Sequence, residues 1–251
     1  MIDRVLLSKM LSLDGFADDP GTANGCGTPV TGSPAFERRR EPVRPAVERR
    51  ELVMKLTISL QVTLDGVAQA NGGNNEEMDP GFTRGGWALP LNDGEAVQYI
   101  LDTWQRPDAF LLGRKTYGLF ETYWGARSDD DGFGEAISSK PKYLVSTTVT
   151  DPTWEQTTVI SGDVAARVRE LKAQPGGELL VVGSAALARW LLENELVDEL
   201  NLVQFPVIVG EGERLFPEHG PDFALDLIDS RVFGTRIVAL TYSVGGRPEY
   251  A

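Results

Sequence analysis

The stretch that most constrains the fold is residues 108–120, DAFLLGRKTYGLF. Its apolar run at positions 109–112 has the length of a buried strand, and Gly113 interrupts that run. The Arg-Lys-Thr sequence at 114–116 follows, and aromatic and aliphatic residues then recur at helical spacing. The pattern predicts a strand, a glycine turn and a helix whose first turn carries two cations and a hydroxyl group.

The start of that helix is a candidate site for a phosphate group. Backbone N–H groups are unpaired at a helix N terminus, where the helix dipole is also positive. Gly113 lets a ligand approach the backbone, Arg114 offers a fork of donors to a phosphate, and Lys115 adds a point charge. The alternative is an ordinary connection between a strand and a helix that contains a glycine.

The same pattern recurs downstream. Residues 178–182, ELLVV, form a second strand-like run, which residues 183–186, GSAA, connect to a helix predicted over 187–194. Each turn alone is more readily explained as structural. Two such turns in one domain, together with the position of Arg114, favour the binding of a dinucleotide, with each turn contacting a different part of it.

The composition argues against several function classes. No apolar run approaches the roughly 18 residues that a membrane helix needs, and Lys9 and Asp14 interrupt the apolar part of the N-terminal stretch. We therefore expect a cytoplasmic protein. The net charge of −13 argues against general nucleic-acid binding. Cys26 and His219 are the only residues of their types, so we expect no metal site and no Ser–His–Asp triad.

Residues 1–53 differ in composition from the rest of the chain. They are rich in Gly and Pro and contain clusters of Arg, a composition that favours a disordered extension or linker. Within them, residues 7–17, LSKMLSLDGFA, align without a gap with residues 58–68, ISLQVTLDGVA, and both are typical of a strand that ends in an Asp-Gly turn. Three explanations stay open. The extension contains the remnant of a second copy of the opening strand, the similarity is due to chance, or the sequence starts artificially early and Met54 is the true first residue.

Residues 54–251 show the alternation of one α/β domain. The predicted strands cover 55–64, 109–112, 142–146, 157–160, 178–182 and 197–205; the predicted helices cover 95–104, 114–124, 133–139, 164–173 and 187–194; a hairpin over 223–231 and 235–244 closes the domain. This order predicts a mostly parallel central sheet with an antiparallel C-terminal hairpin. The acidic run at 129–131 is more typical of a solvated loop than of a metal site.

Seven short motifs occur in an order that resembles the dihydrofolate reductase-like superfamily. More closely, they resemble a stand-alone RibD C-terminal domain, the reductase half of the bifunctional deaminase–reductase of riboflavin biosynthesis. The motifs are Ser59…Asp65-Gly66, Gly85-Gly86-Trp87, LGRKTY at 112–117, KYLVS at 142–146, Val182-Gly183-Ser184, LVDEL at 196–200 and GEGERLF at 210–216. The deaminase reaction is not expected, because the chain lacks a His/Cys/Cys zinc set.

The resemblance implies a three-layer fold, a homodimer and NADPH-dependent reduction of a small heterocyclic substrate. That substrate is pyrimidine- or pterin-like, as in 5-amino-6-(5-phosphoribosylamino)uracil reductase. The cofactor residues carried over from the family's motifs are Gly113, Arg114, Lys115 and Thr116 for the phosphates, Ser146 and Thr147 beside the adenosine, and Gly183, Ser184 and Ala185 over the pyrophosphate. An Arg or Lys near the ribose 2′-phosphate favours NADP over NAD.

The substrate side follows from the same resemblance. Dihydrofolate reductases carry an acid just after a Trp-x-Leu-Pro segment, whereas this chain has Asn92 there. Either Asp93 or Glu95 supplies the proton, or water does. The strand at 58–66 and the loop at 81–93 are expected to flank the nicotinamide.

The substrate pocket is expected to contain Asp65, Trp87 and Asn92. Three of these assignments have structural alternatives: Asp65 shapes a turn, Trp87 is a core residue beneath the loop, and Asp93 caps a helix. For the whole chain, the alternatives are a non-catalytic nucleotide-binding or oligomerising domain that lost the acid, and a binder of sugar or nucleotide phosphates.

Overall fold

The computed structural model describes residues 53–73, 80–125, 132–234 and 236–250. All of the predicted extension except Val53 lies outside the described residues, as does the acidic run at 129–131. Within the described part of the chain, no helix is long and apolar enough to cross a membrane.

Eight strands form one sheet. They are β1 (Lys55–Thr63), β2 (Ala109–Gly113), β3 (Lys142–Val145), β4 (Thr157–Ile160), β5 (Glu178–Val182), β6 (Glu199–Phe205), β7 (Leu225–Phe233) and β8 (Ile237–Val244). Their order across the sheet is β4-β3-β2-β5-β1-β6-β8-β7. Every pairing from β4 to β6 is parallel, and β8 pairs antiparallel with both β6 and β7. The predicted mostly parallel sheet with an antiparallel C-terminal hairpin is confirmed.

The apolar runs of the central strands supply buried side chains to both faces of this sheet. Every residue of β2 and β5 is buried. Successive side chains point to opposite faces, so Leu111 and Leu179 pack in one apolar cluster while Leu112 and Leu180 pack in another. A parallel strand that is covered on both faces has no polar alternation, which explains the continuous runs in the sequence.

Five helices cover the two faces. They are α1 (Gly94–Gln105), α2 (Arg114–Trp124), α3 (Phe133–Ser138), α4 (Val164–Lys172) and α5 (Ala185–Glu193). Buried residues of α1, α2 and α3 belong to the cluster on one face, and those of α4 and α5 belong to the cluster on the other. The result is a three-layer α/β arrangement, as the resemblance implies.

Strand β1 ends in the predicted Asp65-Gly66 turn, which ties it to the segment after β6. The Thr63 hydroxyl donates to Asp65 Oδ1 at 2.6 Å, and the N–H groups of Val209 and Gly210 donate to the carboxylate at 3.1 and 2.8 Å. Burial alone would raise the pKa of Asp65, but these hydrogen bonds outweigh burial and hold the pKa at about 2. The Asp65 carboxylate therefore organises two loops.

We expect Asp65→Asn to lower the free energy of unfolding at pH 7 by about 1–3 kcal/mol, because the charged acceptor of three hydrogen bonds is lost. The folded-state pKa lies below the ordinary value, so the stabilisation is present above pH 4 and is lost as the pH falls towards 2. Urea unfolding at a series of pH values should show that the difference in the free energy of unfolding between wild type and variant becomes smaller below pH 5.

The matched control is Asp102→Asn, which removes an exposed carboxylate that accepts a hydrogen bond from Gln98. This variant should change stability by less than about 0.5 kcal/mol. If the loss of stability in Asp65→Asn did not change with pH, the stabilisation could not be assigned to the ionised Asp65 carboxylate.

Candidate functional site

A cavity of about 440 Å³ lies at the carboxyl ends of β2 and β5 and beside the middle of β1. Ligands of open parallel sheets bind at this edge. Six of the residues predicted to hold the cofactor line the cavity: Arg114, Lys115, Thr116, Gly183, Ser184 and Ala185. The two predicted turns therefore meet at one cavity.

The first turn leaves the start of α2 open. Gly113 occupies the N-cap position in an extended conformation and offers no side-chain hydrogen bond to the helix. Arg114 and Lys115 are exposed at the cavity. Among the described residues, the Arg114 guanidinium has no hydrogen-bond or ion-pair partner. An uncapped helix N terminus beside an unpaired guanidinium is an attractive position for a phosphate.

The second turn has an unusual backbone. Gly183 has φ +75° and Ser184 has φ +58°, so two successive residues are in the left-handed region. Such a conformation is rare for a residue with a side chain and persists only where the surrounding structure requires it. Ser184 Oγ accepts a hydrogen bond from the Leu187 N–H at 3.3 Å and so caps α5. Strained backbone of this kind is concentrated at ligand-binding sites.

The two turns are packed directly against each other. A Cβ atom on Gly113 would lie 2.5 Å from Ser184 Oγ and 2.9 Å from Ser184 Cβ. A Cβ atom on Gly183 would lie 3.1 Å from Thr116 Cγ2. Both glycines are therefore required for the positive ends of α2 and α5 to reach the same point.

Aromatic residues form the apolar wall of the cavity. Trp104, Phe120 and Trp124 all line it. Their ring centroids are 5.4 Å apart for Trp104 and Phe120, 4.8 Å for Phe120 and Trp124, and 5.6 Å for Trp104 and Trp124. These rings make this side of the cavity apolar, as is typical of a small-molecule site, and Phe120 is the most exposed of the three.

Polar residues form a third wall, of which the sequence predicted only the part on the strand at 58–66. Segment 68–73 lies there with Ser59, Gln61 and Glu213. Asn71 Nδ2 donates to Gln61 Oε1 at 2.9 Å, and the Glu213 N–H donates to Gln69 Oε1 at 2.8 Å. One signal was available in the sequence, because Ser59 and Gln61 alternate with apolar residues in a strand that is otherwise typical of a core.

The loop at 81–93 supports this wall from behind and supplies none of the lining residues. The Gly86 N–H donates to Ala70 O at 2.7 Å, and Trp87 Nε1 donates to Gln69 O at 2.8 Å. Trp87 is buried and packs edge-on against Phe205, with a centroid distance of 5.6 Å. The loop that was expected to flank the nicotinamide therefore holds segment 68–73, and segment 68–73 lines the cavity.

Comparisons with known proteins identify the family. The family model of the RibD C-terminal domain matches residues 54–239. The chain belongs to the RibD C-terminal domain family. It is 29% identical over 195 residues to the uncharacterized protein YyaP of Bacillus subtilis, with 76% of this chain and 96% of YyaP covered. It is 24% identical over 183 residues to the uncharacterized protein YwjB of the same organism, with 73% and 94% covered.

A solved structure supports the fold of this RibD C-terminal domain. A pyrimidine reductase-like protein from Corynebacterium diphtheriae matches with a TM-score of 0.55 and 15% identity, over 80% of this chain and 96% of that protein. At this level of identity the match supports the fold and not the substrate.

Several predicted site residues of this RibD C-terminal domain lie outside the cavity lining. Asp93 is the N-cap of α1 and accepts a hydrogen bond from the Ala96 N–H at 2.8 Å, and Glu95 is exposed. Asp65, Trp87 and Asn92 are also absent from the lining, as are Ser146 and Thr147. The described residues contain no group of three His, Cys, Asp or Glu side chains that could hold a metal ion.

We expect Gly113→Ala to destabilise the protein by about 1–3 kcal/mol, because its added methyl group would overlap Ser184. The matched control is Gly94→Ala at the start of α1, where nothing lies within 4 Å of the added atom. This control should be neutral or stabilising. Urea unfolding of both variants measures the difference, and equal midpoints would contradict the tight packing of the two turns.

Proposed function

We propose that this protein is a NADPH-dependent reductase of a small heterocyclic, pyrimidine- or pterin-like substrate. One observation carries the proposal: two helix N termini and an unpaired guanidinium meet at one end of a cavity that has an aromatic wall. The family and its reductase-like structural neighbours agree with this class of activity.

The phosphates of NADPH fit the two turns. The N terminus of α2 with Arg114 and Lys115, and the N terminus of α5 behind Gly183 and Ser184, supply two adjacent positive sites. Arg114 is the candidate partner of the ribose 2′-phosphate. Strand β3 pairs with β2 so that Val145 faces Gly113, which brings Ser146 and Thr147 to the same sheet edge and supports their proposed place beside the adenosine.

The remaining part of the cavity would hold the nicotinamide and the substrate. NADPH, when bound, supplies a hydride, and the protein supplies orientation and a site with little water. Trp104, Phe120 and Trp124 supply an apolar wall beside which a ring could pack. Proton donation by Asp93 or Glu95 stays a prediction, because neither residue lines the cavity in this structure.

The positions of Asp93 and Glu95 favour a second candidate function, a nucleotide-binding domain without catalysis. Such a protein binds NADPH but does not oxidise it with any heterocyclic substrate. Steady-state absorbance at 340 nm with a panel of pyrimidines and pterins separates the two functions.

We expect Arg114→Ala to weaken NADPH binding much more than NADH binding, by about 1.5–3 kcal/mol, since a charged hydrogen-bonded contact to the 2′-phosphate is lost. Titration followed by tryptophan fluorescence measures both affinities, because Trp104 and Trp124 in the cavity wall report occupation of the site.

The control for this titration is Arg167→Ala, which removes an exposed cation paired with Glu170 on α4. It should leave both affinities unchanged. Equal weakening of NADPH and NADH by Arg114→Ala would remove Arg114 from the 2′-phosphate, and no binding of either nucleotide would overturn the proposed cofactor.

The protein is proposed to act as a homodimer through β7. Every residue from Leu225 to Val232 in this edge strand is exposed, and four of them are large hydrophobic residues: Leu225, Leu227, Ile228 and Val232. Asp229 and Arg231 carry opposite charges two residues apart. Antiparallel pairing of two copies about Ser230 would place each carboxylate opposite the other copy's guanidinium.

We expect light scattering to give a dimer mass for the wild type and a monomer mass for Ile228→Asp, because a charge is placed in the proposed interface. The matched control is Ile208→Asp, at an exposed position in the loop after β6, and it should remain dimeric. A monomeric wild type would contradict the proposal.

A further inference from the structure

Strand β1 has one polar face although it lies in the interior of the sheet. The side chains on its other face pack in the apolar cluster that contains residues of α4 and α5: Leu56, Ile58, Leu60 and Val62. Ser59 is paired in register with Val182, which packs in the cluster of α1, α2 and α3, so the alternate residues of β1 face that side. These are all polar: Thr57, Ser59, Gln61 and Thr63. Core packing would favour apolar residues here, whereas Ser59 and Gln61 line the cavity.

A buried amide fixes the hydrogen-bonding role of Ser59. Ser59 Oγ donates its only hydrogen to Asn201 Oδ1 at 3.1 Å. Asn201 is 4% exposed, and its Nδ2 donates to Tyr99 Oη at 2.5 Å and to Thr241 Oγ1 at 2.8 Å. Both hydrogens of the Asn201 amide are used in this way, so its oxygen is the atom that meets Ser59. The Ser59 oxygen is therefore left to accept a hydrogen bond from a ligand.

A second amide fixes the role of Gln61 in the opposite sense. Asn71 Nδ2 donates to Gln61 Oε1 at 2.9 Å. Within the part of the chain that the structure describes, Gln61 Nε2 donates to no acceptor. An amide nitrogen donates and does not accept, so Gln61 can offer a hydrogen-bond donor to a ligand at this atom.

We propose that Ser59 and Gln61 together bind the planar amide edge of a ligand, where an N–H group lies beside a carbonyl, and that Asn201 is the positioning residue that makes Ser59 the acceptor. The N–H group donates to Ser59 Oγ, and the carbonyl oxygen accepts from Gln61 Nε2. Residues two apart on a strand are separated by about 7 Å. Two hydrogen bonds of about 2.9 Å with a small planar amide between them can fill this span.

The inference deepens the proposed function and rests on it for the identity of the ligand. Two groups in the proposed reaction have such an edge: the carboxamide of the nicotinamide, and the lactam of a pyrimidine- or pterin-like ring. Ser59 lies beside the second turn, because its register partner Val182 immediately precedes Gly183. The edge is therefore bound next to the position proposed for the phosphates of the cofactor.

The test uses isothermal titration calorimetry on the full chain with two pairs of probes, each of which exchanges an N–H donor for an acceptor. The first pair is NADP⁺ and its nicotinic acid analogue, in which a carboxylate oxygen replaces the amide nitrogen. The second pair is uracil and 2,4-dimethoxypyrimidine, titrated with and without saturating NADP⁺. We expect the N–H member to bind at least tenfold more tightly in one pair, because a site built to accept a hydrogen bond rejects an analogue without the donor. The pair that shows this preference identifies the group that is bound.

Variants test the two roles separately. Ser59→Ala should reduce the preference to less than threefold, because the acceptor is lost. Asn201→Leu and Asn201→Ala should do the same, since the released Ser59 hydroxyl can then donate to the acceptor probe while Ser59 keeps its size. Asn201→Asp should retain the preference, because both of its side-chain oxygens are acceptors and Ser59 must still donate.

The matched control is Ser243→Ala on β8. Ser243 is half-buried, as Ser59 is, and it lies outside the cavity lining. This variant should keep the preference of the wild type. A preference that survives in Asn201→Leu and Asn201→Ala would overturn the positioning role of Asn201.

The outcomes separate this inference from the proposed function. If NADP⁺ binds but neither pair shows the preference, or Ser59→Ala leaves the preference unchanged, the inference is overturned and the cofactor assignment stands. If NADP⁺ does not bind, the proposed cofactor fails, and the uracil pair alone decides whether Ser59 and Gln61 bind an amide edge.

Discussion

The contact between Gly113 and Ser184 is the constraint on which the cavity depends. Strands β2 and β5 are neighbours, and each ends in a turn that begins a helix at the same place. The positive ends of α2 and α5 come together because Gly113 has no side chain and Gly183 accepts a positive φ. Two helix dipoles that converge at their positive ends repel each other, and an anion between them would relieve that repulsion.

Two tryptophan residues belong both to the hydrophobic core and to the cavity wall. Trp104 and Trp124 are buried in the cluster that covers one face of the sheet, yet their rings also line the cavity. The polar wall is fixed in a comparable way, because segment 68–73 is held by backbone and indole donors from residues 86–88. A site built on a packed core and a braced loop is preorganised, so less conformational entropy is lost when a ligand binds.

The sequence predicted what depends on local pattern. The strands, the helices, the Asp93 cap and both glycine turns follow from periodicity and from residues that are close in the chain. The side chains of Trp87 and Glu213 could not be assigned in this way. The loop at 81–93 folds behind the polar wall of the cavity and so places Trp87 there. Glu213 lines the cavity because the pairing of β1 with β6 brings together the segments that follow these two strands.

A local cluster of positive groups explains how an acidic protein could bind an anionic cofactor. The net charge of −13 lies within residues 54–251, because residues 1–53 hold equal numbers of cations and carboxylates. Exposed charges further away than about 8 Å are largely screened at physiological salt. The local arrangement therefore decides affinity, and at one end it consists of Arg114, Lys115 and two helix N termini.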